Sequence, residues 1–200
     1  MATENGIRIA VITGSVRPGN YTGKAAALVM DELSKLDDVT AQFIDPASLD
    51  LPAPGAGPIS ESMKKLKDDV AGATGVILAT PEYHGSFSSV MKLVIENLGY
   101  PSVLSGKPVA LLGVAAGAIG AVKSLEHLRS VCSHIGAIVL PGPVSVANVQ
   151  GIFGEDGRCL DDKIEGRIRG VVGNLRDYII RSVCPKYALE RFVREGASAD

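Results

Sequence analysis

The sequence of 200 residues has no tryptophan and only three cysteines, Cys132, Cys159 and Cys184. An odd number of cysteines without a Cys-x-x-Cys spacing argues against a disulfide framework and against a structural zinc site. No apolar run reaches the roughly 18 residues of a membrane span, and the start lacks the basic and long apolar regions of a signal peptide. We therefore expect a cytoplasmic protein that uses neither a membrane nor a metal ion.

Neither sign of charge is in large excess. The chain has 20 basic and 22 acidic residues, a net charge of −2, and the two signs are mixed along the sequence. Because the basic stripe typical of nucleic-acid binding is missing, we expect a small-molecule partner. The length suits one domain, predicted over residues 1–184, and the extension over 185–200 is predicted to hold a short helix at 187–193 and a frayed end.

Short β-branched apolar runs alternate with segments of helical period over the first 150 residues. This alternation predicts an α/β fold in which a five-stranded parallel sheet is covered by helices on both faces. The last strand is expected to continue through residues 144–149. The five predicted strands are Ile7–Thr13, Val39–Ile44, 75–80, Pro108–Val114 and 137–140.

Five helices are predicted from apolar residues that recur at three- and four-residue steps. The third is expected over residues 87–98 with Ser86 as its N-cap, and the proline-rich segment 46–58 is expected to be a surface loop. The other four stripes run from Ala25 to Leu36, from Met63 to Val70, from Val122 to Ile135 and from Ile164 to Ile179.

The loop after the first predicted strand has the composition of an anion site. It runs from Gly14 through Ser15 and Arg17 to Lys24 and opens a helix, whose N-terminus favours negative charge. The alternative is an ordinary glycine-rich turn between a strand and a helix. The spacing of its glycines does not fit a phosphate-binding loop of ATPases, and the dinucleotide signature GxGxxG is absent after this strand.

The loop after the third predicted strand reads Pro81-Glu82-Tyr83-His84-Gly85-Ser86. An aromatic ring beside a glycine turn offers stacking surface and main-chain groups to a flat heteroaromatic ligand. Ligands of open parallel sheets bind at the carboxyl ends of the strands, so this loop and the first one are expected to share one site. A solvated His84 and a His84 with a chemical role are equally consistent with the sequence.

Together, Gly14-Ser15-Val16-Arg17 and Pro81-Glu82-Tyr83-His84-Gly85-Ser86, with Val90-Met91-Lys92 following, resemble the NAD(P)H-dependent FMN reductase family. This family includes azo-dye, quinone and chromate reductases. The resemblance implies a flavodoxin-like three-layer sandwich with strand order 2-1-3-4-5. It also implies FMN as the cofactor and NADPH or NADH as the co-substrate.

The resemblance also implies where FMN binds. Ser15, Arg17 and the segment Asn20, Tyr21 and Thr22 are expected around its phosphate; Pro81, Glu82, Tyr83, His84 and Gly85 along its isoalloxazine ring; and Ala116 and Gly117 near the pyrimidine edge. Three residues depart from the family pattern. Typical members carry Ser and Asn where this chain has Asn20 and Thr22, and many carry Asn in place of His84.

The expected reaction transfers a hydride from the nicotinamide to FMN, and electrons then pass to a quinone, azo compound, chromate, ferric chelate or free flavin. Because the cofactor supplies this chemistry, no catalytic side chain is predicted, and His84 is expected at most in the substrate pocket. The fourth helix is expected to begin around Gly117 to Ala121, and its N-terminus is predicted to stabilise the reduced flavin.

Two alternatives to a reductase fit the same sequence. One is a flavodoxin-type electron carrier that does not accept hydride, although the small net charge is unusual for such carriers. The other is an interaction protein with an empty site. The resemblance further implies a homodimer or homotetramer. The candidates for its surface are Leu93, Val94, Leu98 and Tyr100, although sheet packing explains the aliphatic ones equally well.

Overall fold

A computed structural model describes residues 6–197 of the chain. Its centre is a parallel sheet in the order β2-β1-β3-β5-β6, to which β7 is joined through β5 and β4 through β3. The predicted α/β class and strand order are confirmed. The strands are β1 (Ile7–Thr13), β2 (Val39–Ile44), β3 (Gly75–Tyr83), β4 (Ser86–Phe87), β5 (Pro108–Val114), β6 (Ile138–Val139) and β7 (Val144–Val146).

The sheet has more strands than the five predicted. The fifth predicted strand is divided into β6, which pairs with the start of β5, and β7, which pairs with its end. Pro141 and Pro143 lie between them. Because proline has no backbone N–H to donate to a sheet, the pairing is interrupted there.

The described part of the chain has seven α-helices, most of which pack against the two faces of the sheet. On one face, Ile9 and Val11 of β1 pack with α1 and α6; on the other, Ala10 and Ile12 pack with α2, α3 and α4. The helices are α1 (Tyr21–Leu33), α2 (Glu61–Gly72), α3 (Ser89–Asn97), α4 (Val122–His134), α5 (Val149–Ile152), α6 (Asp162–Tyr178) and α7 (Cys184–Ala197). Within residues 6–197, no helix combines the length and the apolar character needed to cross a membrane.

The end of the chain is more helical than predicted. A π-helical turn, Ile179–Val183, joins α6 directly to α7, so the short helix expected at 187–193 is part of a helix that starts at Cys184. Pro185 does not prevent this because it stands in the first turn of α7, where its missing N–H has no required partner. The predicted frayed end falls largely on residues 198–200, which lie outside the described residues.

One further difference concerns the proline-rich loop. Residues Pro46–Ser48 form a single 3₁₀ turn, in which the Asp45 carboxylate accepts a hydrogen bond from the Ala47 N–H at 2.9 Å. Proline fits this turn because its fixed φ suits the first helical position. The rest of the segment forms neither a helix nor a strand, as predicted.

Candidate functional site

The loop after β1 is held tightly against the start of α3. The Ser88 hydroxyl donates a hydrogen bond of 2.5 Å to the carbonyl oxygen of Gly14 and accepts one of 3.0 Å from the Met91 N–H. A Cβ atom on Gly14 would lie 2.9 Å from the Ser88 oxygen and 3.0 Å from the Met91 Cβ. Only glycine permits this close approach, which fixes where the loop leaves the sheet.

Ser15 follows at once and is almost fully buried, at 4 % exposure. Its Oγ is a buried side-chain oxygen without a hydrogen-bond partner. Buried hydroxyls are normally satisfied, because leaving one unpaired costs about 1–3 kcal/mol. The unpaired hydroxyl at the loop that opens α1 therefore indicates a place for a ligand acceptor atom.

The side chain of Asn20 is the N-cap of α1. Its Oδ1 accepts a hydrogen bond from the Gly23 N–H at 2.7 Å, and its Nδ2 donates one to the Arg17 carbonyl at 2.7 Å. The side chain thus shapes the turn between Arg17 and the helix. Its predicted contact with a phosphate stays a prediction, and the geometry gives the residue a second, structural task.

The loop after β3 is a hairpin. The chain reverses at His84 and Gly85, both with positive φ (51° and 74°), and Ser86 and Phe87 pair antiparallel with Tyr83 and Glu82. Two-residue hairpin turns of this kind need left-handed residues, a conformation in which Asn and Gly are more usual than His. The predicted α3 start at residue 87 and its cap at Ser86 are therefore wrong, since these residues form β4 and Ser88 caps the helix.

The hairpin is attached to α4 through both of its strands. The Glu82 carboxylate accepts a hydrogen bond of 3.0 Å from the Ser124 N–H, and the Ser86 hydroxyl lies 3.1 Å from the His127 Nδ1. Glu82 thus occupies the positive end of α4, which begins at Val122. The Ala121 N–H, which belongs to the segment predicted to stabilise a reduced flavin, already donates to Ser145 Oγ at 2.8 Å.

These loops enclose a cavity of about 350 Å³ at the carboxyl edge of the sheet. It lies within the range of about 300–1,000 Å³ that is usual for small-molecule sites. Arg17 lines the cavity, and its guanidinium stacks over the Tyr83 ring. Of the residues predicted to bind the cofactor, the cavity brings together Arg17, Asn20, Tyr21, Thr22, Pro81, Glu82, Tyr83 and Ala116.

The other predicted residues take different positions. Ser15 is buried beneath the loop, and His84, Gly85 and Gly117 do not line this cavity. His84 is exposed at the tip of the hairpin. The Gly117 carbonyl accepts hydrogen bonds from the Gly120 and Asn148 N–H groups, so it stabilises the neighbouring loop.

Val149 and Gln150 also line the cavity and were not found from the sequence. They begin α5, directly after Asn148, which has a left-handed backbone (φ 46°). The general rule that every loop after a parallel strand reaches the carboxyl edge could have included them, because they follow β7. No motif of their own marks them.

Tyr21, at the start of α1, forms one wall of the cavity. Its ring lies 6.4 Å from the Phe153 ring, and the Lys24 ammonium is 5.1 Å from its centroid while donating to the Gly154 carbonyl at 2.8 Å. The segment after α5 therefore packs onto the start of α1 and closes this side of the cavity.

The donor set fits a phosphorylated flavin. Arg17 and the first turn of α1 line the cavity, and the unpaired Ser15 hydroxyl is buried in the same loop; these groups suit a phosphate dianion. Pro81, Tyr83 and Ala116 add apolar and aromatic lining that suits a flat ring. The fold and cavity thus define a flavodoxin-like protein with a site for a mononucleotide at the switch point of its sheet.

Comparison with known proteins gives the family. The NADPH-dependent FMN reductase family matches residues 7–151. An NAD(P)H-dependent FMN reductase of Pseudomonas aeruginosa is 31% identical over 183 residues, covering 88% of this chain and 96% of the relative. A 2-hydroxy-1,4-benzoquinone reductase of a Burkholderia species is 31% identical over 141 residues, covering 68% of this chain and 76% of the relative.

A solved structure agrees in fold. The flavoenzyme NAD(P)H:(acceptor) oxidoreductase FerB of Paracoccus denitrificans has a TM-score of 0.68 at 23% identity and covers 86% of this chain and 98% of its own. The chain belongs to the NADPH-dependent FMN reductase family. It is an oxidoreductase with FMN as its cofactor and NADPH or NADH as its co-substrate.

Proposed function

We propose that this protein is a reductase in which bound FMN takes a hydride from NADPH or NADH and passes electrons to a small acceptor. Quinones, azo compounds, chromate, ferric chelates and free flavin are the acceptor classes that an accessible reduced flavin serves. The unpaired, buried Ser15 hydroxyl beside Arg17 is the single observation that carries the proposed cofactor position. It is the ligand-ready group that an ordinary strand-to-helix turn would not contain.

The phosphate end of the site depends on the loop after β1. Ser15 has one hydroxyl to donate, Arg17 has a planar guanidinium, and the first turn of α1 carries the positive end of the helix dipole. Thr22, buried at 1 % exposure, lines the cavity at this turn. Together they replace the hydration that a phosphate dianion loses on entering the cavity.

The ring end depends on the hairpin and on the loop after β5. Pro81 and Ala116 give apolar contact, and Tyr83 stands at the rim with 36 % of its surface exposed. Glu82 and Ser86 hold the hairpin on α4, which keeps this surface in place. These residues orient the ring and exclude water from part of it; none of them needs to act as a nucleophile or as an acid.

When bound, FMN supplies the redox chemistry by accepting hydride at N5 and releasing electrons to the second substrate. The residues of this chain determine which side of the ring is open. Tyr83 lines the cavity and is 36 % exposed, and the adjacent His84 of the hairpin is exposed as well. This openness supports several acceptor classes rather than one.

The test is anaerobic reduction of the FMN-loaded protein by NADPH and by NADH, recorded from the loss of flavin absorbance. A panel of acceptors, one from each class, is then added to the reduced protein. We expect bleaching by at least one nicotinamide and reoxidation by a quinone or azo compound. Retention of FMN without bleaching would instead identify an electron carrier, and failure to bind FMN would leave the fold without a redox function.

We also propose a homodimer or homotetramer in the cytoplasm. Of the candidate interface residues, Val94 and Leu98 are fully buried in the core, which agrees with the alternative that they pack against the sheet. Tyr100 is 98 % exposed and borders an apolar groove of about 600 Å³ between α3 and α4. Size-exclusion chromatography with light scattering tests the assembly, and a monomer at micromolar concentration would rule it out.

A further inference from the structure

A second cavity, of about 240 Å³, lies at the amino edge of the sheet, opposite the FMN site. One wall comes from the body of the domain, where Arg8 stands near the start of β1 and Lys107 just before β5. The other wall is helical and comes from residues between Tyr178 and Glu190. That wall lies outside residues 7–151, the part of the chain that matches the family.

The body wall presents two cations without a carboxylate partner. Within residues 6–197, neither Arg8 nor Lys107 forms an ion pair with Asp or Glu. Burial, and then the charge of Arg8, hold the pKa of the Lys107 ammonium below its ordinary value. The two cations thus repel each other, an arrangement that a bound anion would relieve.

Lys107 also prepares the surface for an anion. Its ammonium donates hydrogen bonds of 2.9 Å and 2.7 Å to the carbonyl oxygens of Ala71 and Ala73, at the end of α2. Those carbonyls carry the negative end of the helix dipole. With Lys107 covering them, the side of the cavity that would have repelled an anion becomes positive.

The helical wall adds further donors. Lys186 contributes a third cation and Glu190 the single carboxylate of the lining, so the side chains around the cavity carry a net of two positive charges. Lys186 and Glu190 are 3.9 Å apart and both largely exposed, so each remains available to a competing ion. The hydroxyl groups of Ser182, Tyr178 and Tyr187 complete a lining rich in hydrogen-bond donors.

We propose that this cavity binds a phosphate group, held by Arg8 and Lys107 of the body wall and by Lys186 of the helical wall. Three cationic side chains line this one cavity, and Arg8 has the planar fork that suits a phosphate. The cavity volume is enough for one phosphate group but too small for a dinucleotide. Binding would connect α7 to the amino edge of the sheet.

The test is calorimetric titration of the FMN-loaded protein with inorganic phosphate at constant ionic strength. FMN fills the phosphate loop after β1, so the titration reports the second cavity alone. We expect saturable binding of one phosphate per chain. Arg8→Gln should weaken it about tenfold or more, as the loss of a charge-assisted contact does.

Arg8 is exposed, so its replacement leaves the core intact, and Lys107→Gln gives a second variant from the same wall. Arg167→Gln, an exposed cation of α6 that does not line the cavity, is the matched control and should bind as the wild type does. Adenosine 5′-phosphate, titrated in parallel, distinguishes a phosphate group on a larger molecule from the free ion. Tighter binding than inorganic phosphate assigns the site to a phosphate group on a larger molecule, and equal or weaker binding assigns it to the free ion. Absence of saturable binding, or equal affinities in wild type and Arg8→Gln, would overturn the proposal.

Discussion

The guanidinium carbon of Arg17 lies 4.9 Å from the centroid of the Tyr83 ring, so the loops after β1 and β3 meet across one edge of the sheet. The two loops are 66 residues apart in the chain, yet parallel strands bring both to the same end. The proposed phosphate contact and the proposed ring contact therefore belong to one site. Arg17 couples them, because a guanidinium that stacks on an aromatic ring keeps its edge free for an anion.

Arg17→Ala is expected to weaken FMN binding by about tenfold or more while changing the rate of hydride transfer in the remaining holoprotein far less. The reason is that the contact proposed for Arg17 is to the phosphate, which takes no part in hydride transfer. Fluorescence titration of apoprotein with FMN measures the affinity, and stopped-flow reduction of FMN-saturated protein measures the rate. Arg158→Ala, an exposed arginine that does not line the cavity, is the control, and equal FMN retention in both variants would remove Arg17 from the phosphate site.

Ser88→Ala is expected to lower both stability and FMN affinity. The change removes the N-cap of α3 and the hydrogen bond to Gly14, at a cost of about 0.5–2 kcal/mol for the cap alone. Ser60→Ala removes the equivalent cap of α2, far from the cavity lining, and should cost similar stability without changing FMN affinity. Urea unfolding and FMN titration of the two variants separate the effects; a parallel loss of affinity in both would contradict a local role for Ser88.

Glu82→Gln and Glu82→Ala should differ. Glutamine keeps an acceptor for the Ser124 N–H, whereas alanine leaves that amide group unpaired, at a cost of about 1–3 kcal/mol. We expect FMN affinity and unfolding free energy to fall clearly in the alanine variant and little in the glutamine variant. Glu126→Ala, an exposed carboxylate on the same helix, should resemble the wild type. Similar losses in the Gln and Ala variants would show that the charge, and not the hydrogen bond, holds the hairpin.

Acid should weaken the attachment of α6. The hydrogen bonds from Arg176 to Asp38 hold the pKa of that carboxyl below its ordinary value of 3.8. A carboxyl with a lowered pKa in the folded state stabilises the fold above the ordinary value and loses this contribution as the pH falls below it. Because the pair is largely exposed, the effect is small. Urea unfolding from about pH 5 to pH 3 should show a shallower decline in Asp38→Asn than in the wild type; identical slopes would contradict the linkage.

The three cysteines should react unequally. Burial raises the pKa of the Cys132 thiol to about 12, and its side chain has no exposed surface. Since the thiolate is the reactive form, iodoacetamide should leave Cys132 unmodified in the folded protein at about pH 8. Cys159 and Cys184 are partly exposed and should be alkylated first, which peptide mass spectrometry can show. Modification of Cys132 at the same rate would mean that α4 opens more readily than its packing indicates.

Much of the sheet could be predicted from the sequence because buried parallel strands read as continuous apolar runs. The bounds of β1, β2 and β5 agree with the predicted ones. The hairpin could not be predicted in this way. His84 and Gly85 carry the signal of a loop, and only the pairing of Glu82 with Phe87 turns that loop into two strands.

Site residues could be predicted from the sequence where the side chain has a characteristic binding chemistry. Arg17 and Tyr83 were predicted because a guanidinium suits an anion and an aromatic ring suits a flat ligand, and both residues line the cavity. Val149 and Gln150 carry no such signal and reach the cavity only through the path of the chain after β7. The internal roles of Asn20 and Glu82 were missed for the opposite reason, since a polar side chain near a ligand loop also serves as a helix cap.

The most direct test is a crystal structure of the FMN-loaded protein. It should show the phosphate within hydrogen-bonding distance of Ser15 Oγ and the Arg17 guanidinium, with the isoalloxazine ring against Pro81, Tyr83 and Ala116. A flavin at any other edge of the sheet, or a Ser15 hydroxyl that stays unpaired beside bound FMN, would contradict the account.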